Sequence, residues 1–182
     1  PRVAWLPLAC APDYHHPVEI AEDHDFAFVG TLASGIHDER CRLLTTLQNY
    51  FQVYARADLF GEEACRAMCR GRMAFNHCAV QEVNMRVFEA LGMGRPLLTN
   101  RQAERNGLFD LFAPDEHLAV YSDEQSLLRA AQDYLGDAEK RLALARRGFD
   151  EVLARHTYRH RVDTILETVE TALTEDAVNA HR

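Results

Sequence analysis

Arg86 and Glu89, three residues apart in Asn84-Met85-Arg86-Val87-Phe88-Glu89-Ala90-Leu91-Gly92, are the side chains whose types and spacing best suit chemistry. Asn84 reads as an N-cap, and Phe88 with Leu91 makes one apolar face, so both charges fall early in a short helix. A helix start offers unpaired N–H groups to an anion such as a diphosphate. Arg86 occupies that first turn, where the helix dipole disfavours a cation. Either an anionic ligand or a partner such as Glu82 accounts for it. Glu89 is flanked by Phe88, Ala90 and Leu91, where a carboxylate is avoided unless it has a partner. An ion pair with Arg86 or Arg95 is one answer. The other is a vicinal diol such as a ribose, because an ionised carboxylate accepts two hydrogen bonds at once.

Gly30 closes the apolar run Phe26-Ala27-Phe28-Val29, where a residue without Cβ lets backbone amides approach phosphate oxygens. A plain strand-ending glycine reads the same way, since no GxGxxG fingerprint is present. Arg40 falls early in the next helix and reads more simply as a solvated helix-face arginine. Cys65 and Cys69, and His156 and His160, stand four apart as half-sites for a metal, but neither pair has a third ligand in view. Small core residues for the thiols, and capping and packing for the histidines, are the simpler readings. There is no Ser-His-Asp or Cys-His set, no HExxH and no P-loop, so a metal site is not expected.

A chain of 182 residues suits one ordinary domain, with 47% hydrophobic and 26% charged residues as in a soluble globular protein. A formal charge of −8 argues against nucleic acid as a partner, yet leaves room for one local basic pocket. No apolar run approaches the roughly 18 residues of a membrane span, and no charged-then-apolar leader opens the chain. The five cysteines are odd in number and lack a CxxC, which reads as a reducing, cytoplasmic compartment.

These residues need elements to position them. Residues 1–25 are proline-rich, with a paired His15-His16 and no period, and read as a linker. Strands are expected at Phe26–Gly30, Phe51–Ala55, Met73–His77, Pro96–Thr99 and His117–Tyr121. Helices are expected at His37–Asn49, Glu62–Cys69, from Asn84 to Gly92, from Ser122 or Asp123 to Gly136, and at Glu139–Ala154. In the last of these Leu142, Ala145, Phe149, Val152 and Leu153 fall at helical intervals. A final helix after Thr157 carries Val162, Ile165, Leu166, Val169 and Leu173 on one stripe, and the polar tail 175–182 frays. Alternating strands and helices with short connections predict an α/β fold, a Rossmann-like parallel sheet with helices on both faces. Ligands to such a sheet bind beyond the carboxyl ends of its strands. A receiver-like variant is disfavoured, because Val29-Gly30-Thr31 carries no acid cluster.

The segment NMRVFEALGMGRPLLTN resembles the R-x-x-E-A-x-x-x-G-x-P segment of the group-1 glycosyltransferases of GT-B fold, and more narrowly their spore-maturation-protein-like branch. Arg155-His156-Thr157-Tyr158-Arg159-His160-Arg161 resembles the H-T-x-x-x-R segment that ends the same branch, and with the FVG strand the likeness runs in order along nearly the whole chain. The resemblance implies the C-terminal half of a GT-B fold, a nucleotide-sugar donor-binding domain over residues 26–174, with Val3–Ala9 similar to the family's hinge strand. It implies a hexosyltransferase-type enzyme whose acceptor site and base lie in an N-terminal domain not in this chain, so that this half binds but does not turn over.

The donor would be a nucleotide-diphosphate sugar, with no other cofactor and no metal. Its ribose would rest on Glu89, its diphosphate between Gly30, Thr31 and the helix start at Asn84, and its base near Tyr54 and Arg56. Arg86 and Arg40 would be catalytic, stabilising charge on the departing diphosphate. Many members carry a second glutamate eight residues before Glu89, where this chain has Gln81, so a non-catalytic domain acting as a binding or interaction module is the alternative.

Overall fold

The computed structural model describes residues 3–33, 35–80 and 82–180, with side chains as far as residue 174. Gln81, Ser34 and the side chains of the polar tail therefore lie outside the described residues. The chain alternates β1 (His24–Val29), α1 (Asp38–Gln48), β2 (Val53–Arg56), α2 (Gly61–Cys69), β3 (Gly71–Asn76), α3 (Met85–Gly92), β4 (Leu97–Asn100), α4 (Leu108–Leu111) and β5 (Ala119–Tyr121). It closes with α5 (Glu124–Gly136), α6 (Ala138–Arg155) and α7 (Tyr158–Ala180).

The strands form one parallel sheet of five in the order β2-β1-β3-β4-β5. Their near-continuous apolar runs suit a sheet covered on both faces. Ala27, Val29, Ala74 and Leu97 face a layer built on α2, α3 and α6, while Phe26, Phe28, Met73, Phe75 and Leu98 face α1 and α5. Gly71 at the start of β3 has no room for a β-carbon, which would stand 2.5 Å from the Ala27 nitrogen of β1. The chain steps outward from β1 to β2 and then returns across β1 to β3, which places the reversal of winding between β1 and β3.

Helix starts and stops follow their caps. Asp123 accepts from Ser126 N at 2.7 Å in a reciprocal capping box, and Asp137 caps α6 through Lys140 N at 2.9 Å. On α6 the buried face is Leu144, Ala145, Gly148 and Val152, while Leu142 faces solvent. Gly148 lets the helix close on the residues before β5, with no room for a β-carbon against His117 O.

The N-terminal segment is more than a connector. Ala9 and Cys10 are fully buried, Val18 and Ile20 pack on the core, and residues 3–9 form no strand. Cys10 bridges to Thr157, donating to His156 O at 2.9 Å and accepting from Tyr158 N at 3.0 Å. Arg161 donates to Pro7 O at 2.9 Å and to Leu8 O at 3.1 Å. The apolar stripe of α7, Val162, Ile165, Leu166, Val169 and Leu173, is exposed, as are Val3, Trp5, Leu6 and Leu8.

Candidate functional site

A cleft of about 270 Å³ opens at the carboxyl end of β1, beside the reversal of winding. Gly30 and Thr31 come to it from the end of β1, Phe60 from the loop before α2, Arg86 and Glu89 from α3, and Tyr14 and His15 from the N-terminal segment.

Glu89 is half-buried, with Oε2 3.5 Å from Arg86 Nε and Oε1 3.7 Å from His15 Nε2. Both are ion-pair distances longer than a good hydrogen bond, so the carboxylate is steadied without being saturated. His15 Nδ1 accepts from Ala11 N at 3.2 Å, which leaves the ring proton on Nε2, facing Glu89. Burial pushes the His15 imidazole below its ordinary range, against the upward pull of Glu89.

Arg86 bends back over the end of β1. It donates to Val29 O and stands 5.2 Å from the centre of the Phe28 ring. Burial lowers its pKa, and Glu89 opposes that shift. Its pairing is with Glu89 rather than Glu82, while Arg95 is taken by Glu22 at 2.6 Å. The guanidinium also explains Gly30, where a β-carbon would lie 2.8 Å from Arg86 Nη2. The space beside Gly30 is therefore filled by Arg86, and the Gly30 amide donates to Arg56 O at 2.9 Å. The sheet ladder thus takes the Gly30 donor, and amides facing a phosphate here would be those beyond it.

Arg40 is buried rather than a solvated helix-face arginine. It donates to His77 O at 3.0 Å and to Thr31 O at 3.1 Å, and its guanidinium carbon stands 5.5 Å from the Phe28 ring centre. It clamps the loops after β1 and β3 together and does not line the cleft. Arg40 and Arg86 thus reach the end of β1 from opposite layers and meet around Phe28.

Three of the expected contacts fall elsewhere. Asn84 precedes α3 in extended conformation but makes no side-chain cap, because its amide pairs with that of Asn76 at 3.2 and 3.4 Å. Tyr54 packs edge-on to His24 with ring centres 5.2 Å apart, and Arg70 covers it at 4.8 Å. Arg56 is exposed and grips Asp58 at 2.6 and 2.8 Å. None of the three lines the cleft.

Tyr14, His15 and Phe60 were not legible as site residues. They lie on aperiodic stretches, and only the paired His15-His16 and an aromatic directly before Gly61 hint at a use. Among the described residues no group of three or more His, Cys, Asp or Glu could hold a metal. Cys65 donates to His16 O at 3.3 Å, His160 Nδ1 is 2.7 Å from Thr157 Oγ1, and His156 Nδ1 accepts from Arg161 at 3.1 Å.

A family model described as "Glycosyl transferase-like" matches residues 14–167. No curated protein matches the chain. Among solved structures, the chain is similar to sucrose-phosphate synthase from Thermosynechococcus elongatus, at 14% identity and a TM-score of 0.68 over 93% of this chain and 52% of that one. It is also similar to the C-terminal domain of a glycosyl transferase group 1 family protein from Francisella tularensis, at 11% identity and a TM-score of 0.63 over 82% of this chain and 99% of that one. TarM aligns at 6% identity and a TM-score of 0.57 over 85% of this chain and 36% of that one. The chain spans about half the length of the sucrose-phosphate synthase it resembles.

Proposed function

Because the chain belongs to the glycosyl transferase-like family, we propose that it is the donor-binding domain of a glycosyltransferase and that its cleft takes a nucleotide-diphosphate sugar. The observation that carries this is the convergence of Gly30, Thr31, Arg86 and Glu89 from separate segments on one cleft at the sheet's carboxyl edge. Glu89, steadied by His15 and Arg86 yet bordering open space, accepts from the ribose diol. The diphosphate lies over Gly30 and Thr31 towards the start of α3, where Arg86 supplies the positive charge that compensates its departure. The base rests against Tyr14 and Phe60, two exposed rings on the cleft wall, in place of Tyr54 and Arg56.

The acceptor site belongs to an N-terminal domain that docks here, in a cytoplasmic hexosyltransferase that uses no metal. The exposed stripe Val162, Ile165, Leu166, Val169 and Leu173 supports such a neighbour. Among the described residues no helix is long and apolar enough to cross a membrane.

One observation favours the non-catalytic alternative. Arg40 spends donors on the carbonyls of Thr31 and His77, and Arg86 on that of Val29, so neither cation is wholly free for a ligand. Titration calorimetry with UDP, GDP and ADP tests the reading. One of them binds, and Glu89→Gln weakens it about tenfold or more, the value of a hydrogen bond to a charged group. Failure of all three with the protein folded rules out the donor domain, and an unchanged affinity in Glu89→Gln rules out the ribose contact.

A further inference from the structure

On the other face of the sheet's carboxyl edge, between α1 and the start of α5, lies a second cavity of about 160 Å³ with mostly polar walls. Its acids are already engaged. Glu39 and Glu124 are bridged by Arg42, and Asp123 caps α5. His77 is different. The Tyr121 hydroxyl lies 3.1 Å from Asn76 O and 3.0 Å from His77 Nδ1, and both contacts are hydrogen bonds when the hydroxyl donates to the carbonyl and accepts from Nδ1. With the proton on Nδ1, Nε2 is a lone-pair acceptor, and no hydrogen bond to it is found among the described residues.

The ring cannot easily turn away. It lies against Tyr121 with planes 27° apart, and its backbone carbonyl is held by Arg40 at 3.0 Å. Burial lowers its basicity, Arg40 and Arg42 lower it further, and Glu39 opposes them, so the ring is neutral at neutral pH. A neutral acceptor in a small polar cavity suits a ligand rich in hydroxyl donors better than an anion or an apolar group.

We propose that this cavity is a sugar-binding subsite in which His77 Nε2 accepts a hydrogen bond from a ligand hydroxyl. For its ligand class the proposal rests on the donor-domain reading. Arg40 ties the loop of Thr31, which lines the cleft, to that of His77, which lines the cavity, so both open at the carboxyl edge of one sheet. The hydroxyls come either from the donor's glycosyl group or from a saccharide acceptor.

The test uses the 182-residue chain and His77→Asn, which keeps a donor towards Tyr121 and removes the acceptor, with His77→Gln returning an acceptor near the position of Nε2. A nucleoside diphosphate and the same nucleotide carrying a sugar are titrated into each. A panel of methyl glycosides is followed in parallel through the His77 imidazole nitrogen resonances. If the donor sugar occupies the cavity, His77→Asn loses about three- to tenfold in affinity for the nucleotide sugar, as one hydrogen bond supplies, with none lost for the bare diphosphate and part recovered in His77→Gln. If an acceptor occupies it, both nucleotides bind unchanged, while a glycoside shifts the Nε2 resonance and glycoside affinity by calorimetry falls about three- to tenfold in His77→Asn. Diphosphate binding with no response in either arm overturns the subsite and leaves the donor reading standing. Absence of diphosphate binding with a glycoside shift at Nε2 does the reverse, and silence in every arm overturns both.

Discussion

Gly30→Ala isolates the contact on which the cleft depends. The added methyl would sit 2.8 Å from Arg86 Nη2 and 3.1 Å from Phe28 Cζ. The backbone cannot retreat, because Gly30 N is bonded to Arg56 O at 2.9 Å. The guanidinium therefore moves and gives up its hydrogen bond to Val29 O. A hydrogen bond to a charged group contributes about 1.5–3 kcal/mol. Replacing glycine returns about 0.4–1 kcal/mol through the unfolded chain. The displaced head borders the cleft and regains water, so the net loss is about 1 kcal/mol, or about 2–4 °C in a chain of this size. Urea unfolding followed by circular dichroism measures it, alone and in an Arg86→Met background. With the guanidinium gone, Gly30→Ala should be neutral or stabilising, giving a coupling of about 1 kcal/mol or more. Equal destabilisation in both backgrounds would refute the account of Gly30 as the seat of Arg86.

His156 is held by burial, with help from Arg161, at about 4, below its unfolded value of 6.5. Its contribution is therefore complete above pH 6.5 and is lost as pH falls towards 4, because only the unfolded chain takes up the proton in that window. The loss is about 3 kcal/mol at most, read as a fall in urea midpoint that His156→Leu should flatten. Gly148→Ala, although favourable in an isolated helix, should cost about 2 kcal/mol by overpacking, since its methyl would meet His117 O at 2.4 Å and Leu91 Cδ2 at 2.7 Å. A thermal melt shows the difference, and an unchanged midpoint refutes it. Arg56→Ala should leave nucleoside diphosphate affinity within about twofold, the size of a surface change away from the ligand, because Arg56 is bound to Asp58 outside the cleft. A larger loss by calorimetry would return the base to β2.

The strands and most helix limits were legible because their signals are local. Apolar runs closed by glycine marked β1, and Asp123 and Gly136 bracketed α5. Periodicity states that a helix has two faces without stating what covers either. Val162 to Leu173 therefore make one stripe on α7 that stands exposed, while on α6 Leu142, expected at a helical interval with Ala145 and Val152, faces solvent and Leu144 takes the core. Glu89 and Arg86 were singled out for being costly where they stood, and both reach the cleft. Arg40, His15 and Phe60 gave no such sign. The burial of Arg40 comes from two loops 9 and 37 residues away in sequence, and the place of His15 depends on a segment docking onto a helix some seventy positions later.

The bridge between Cys10 and Thr157 brings the incoming and outgoing strands of polypeptide together at one corner of the domain. Anything joined ahead of Pro7 or beyond Arg161 is thus suspended from a single pivot, fastened by the Arg161 guanidinium. Loosening Arg161 would therefore slacken both tethers together.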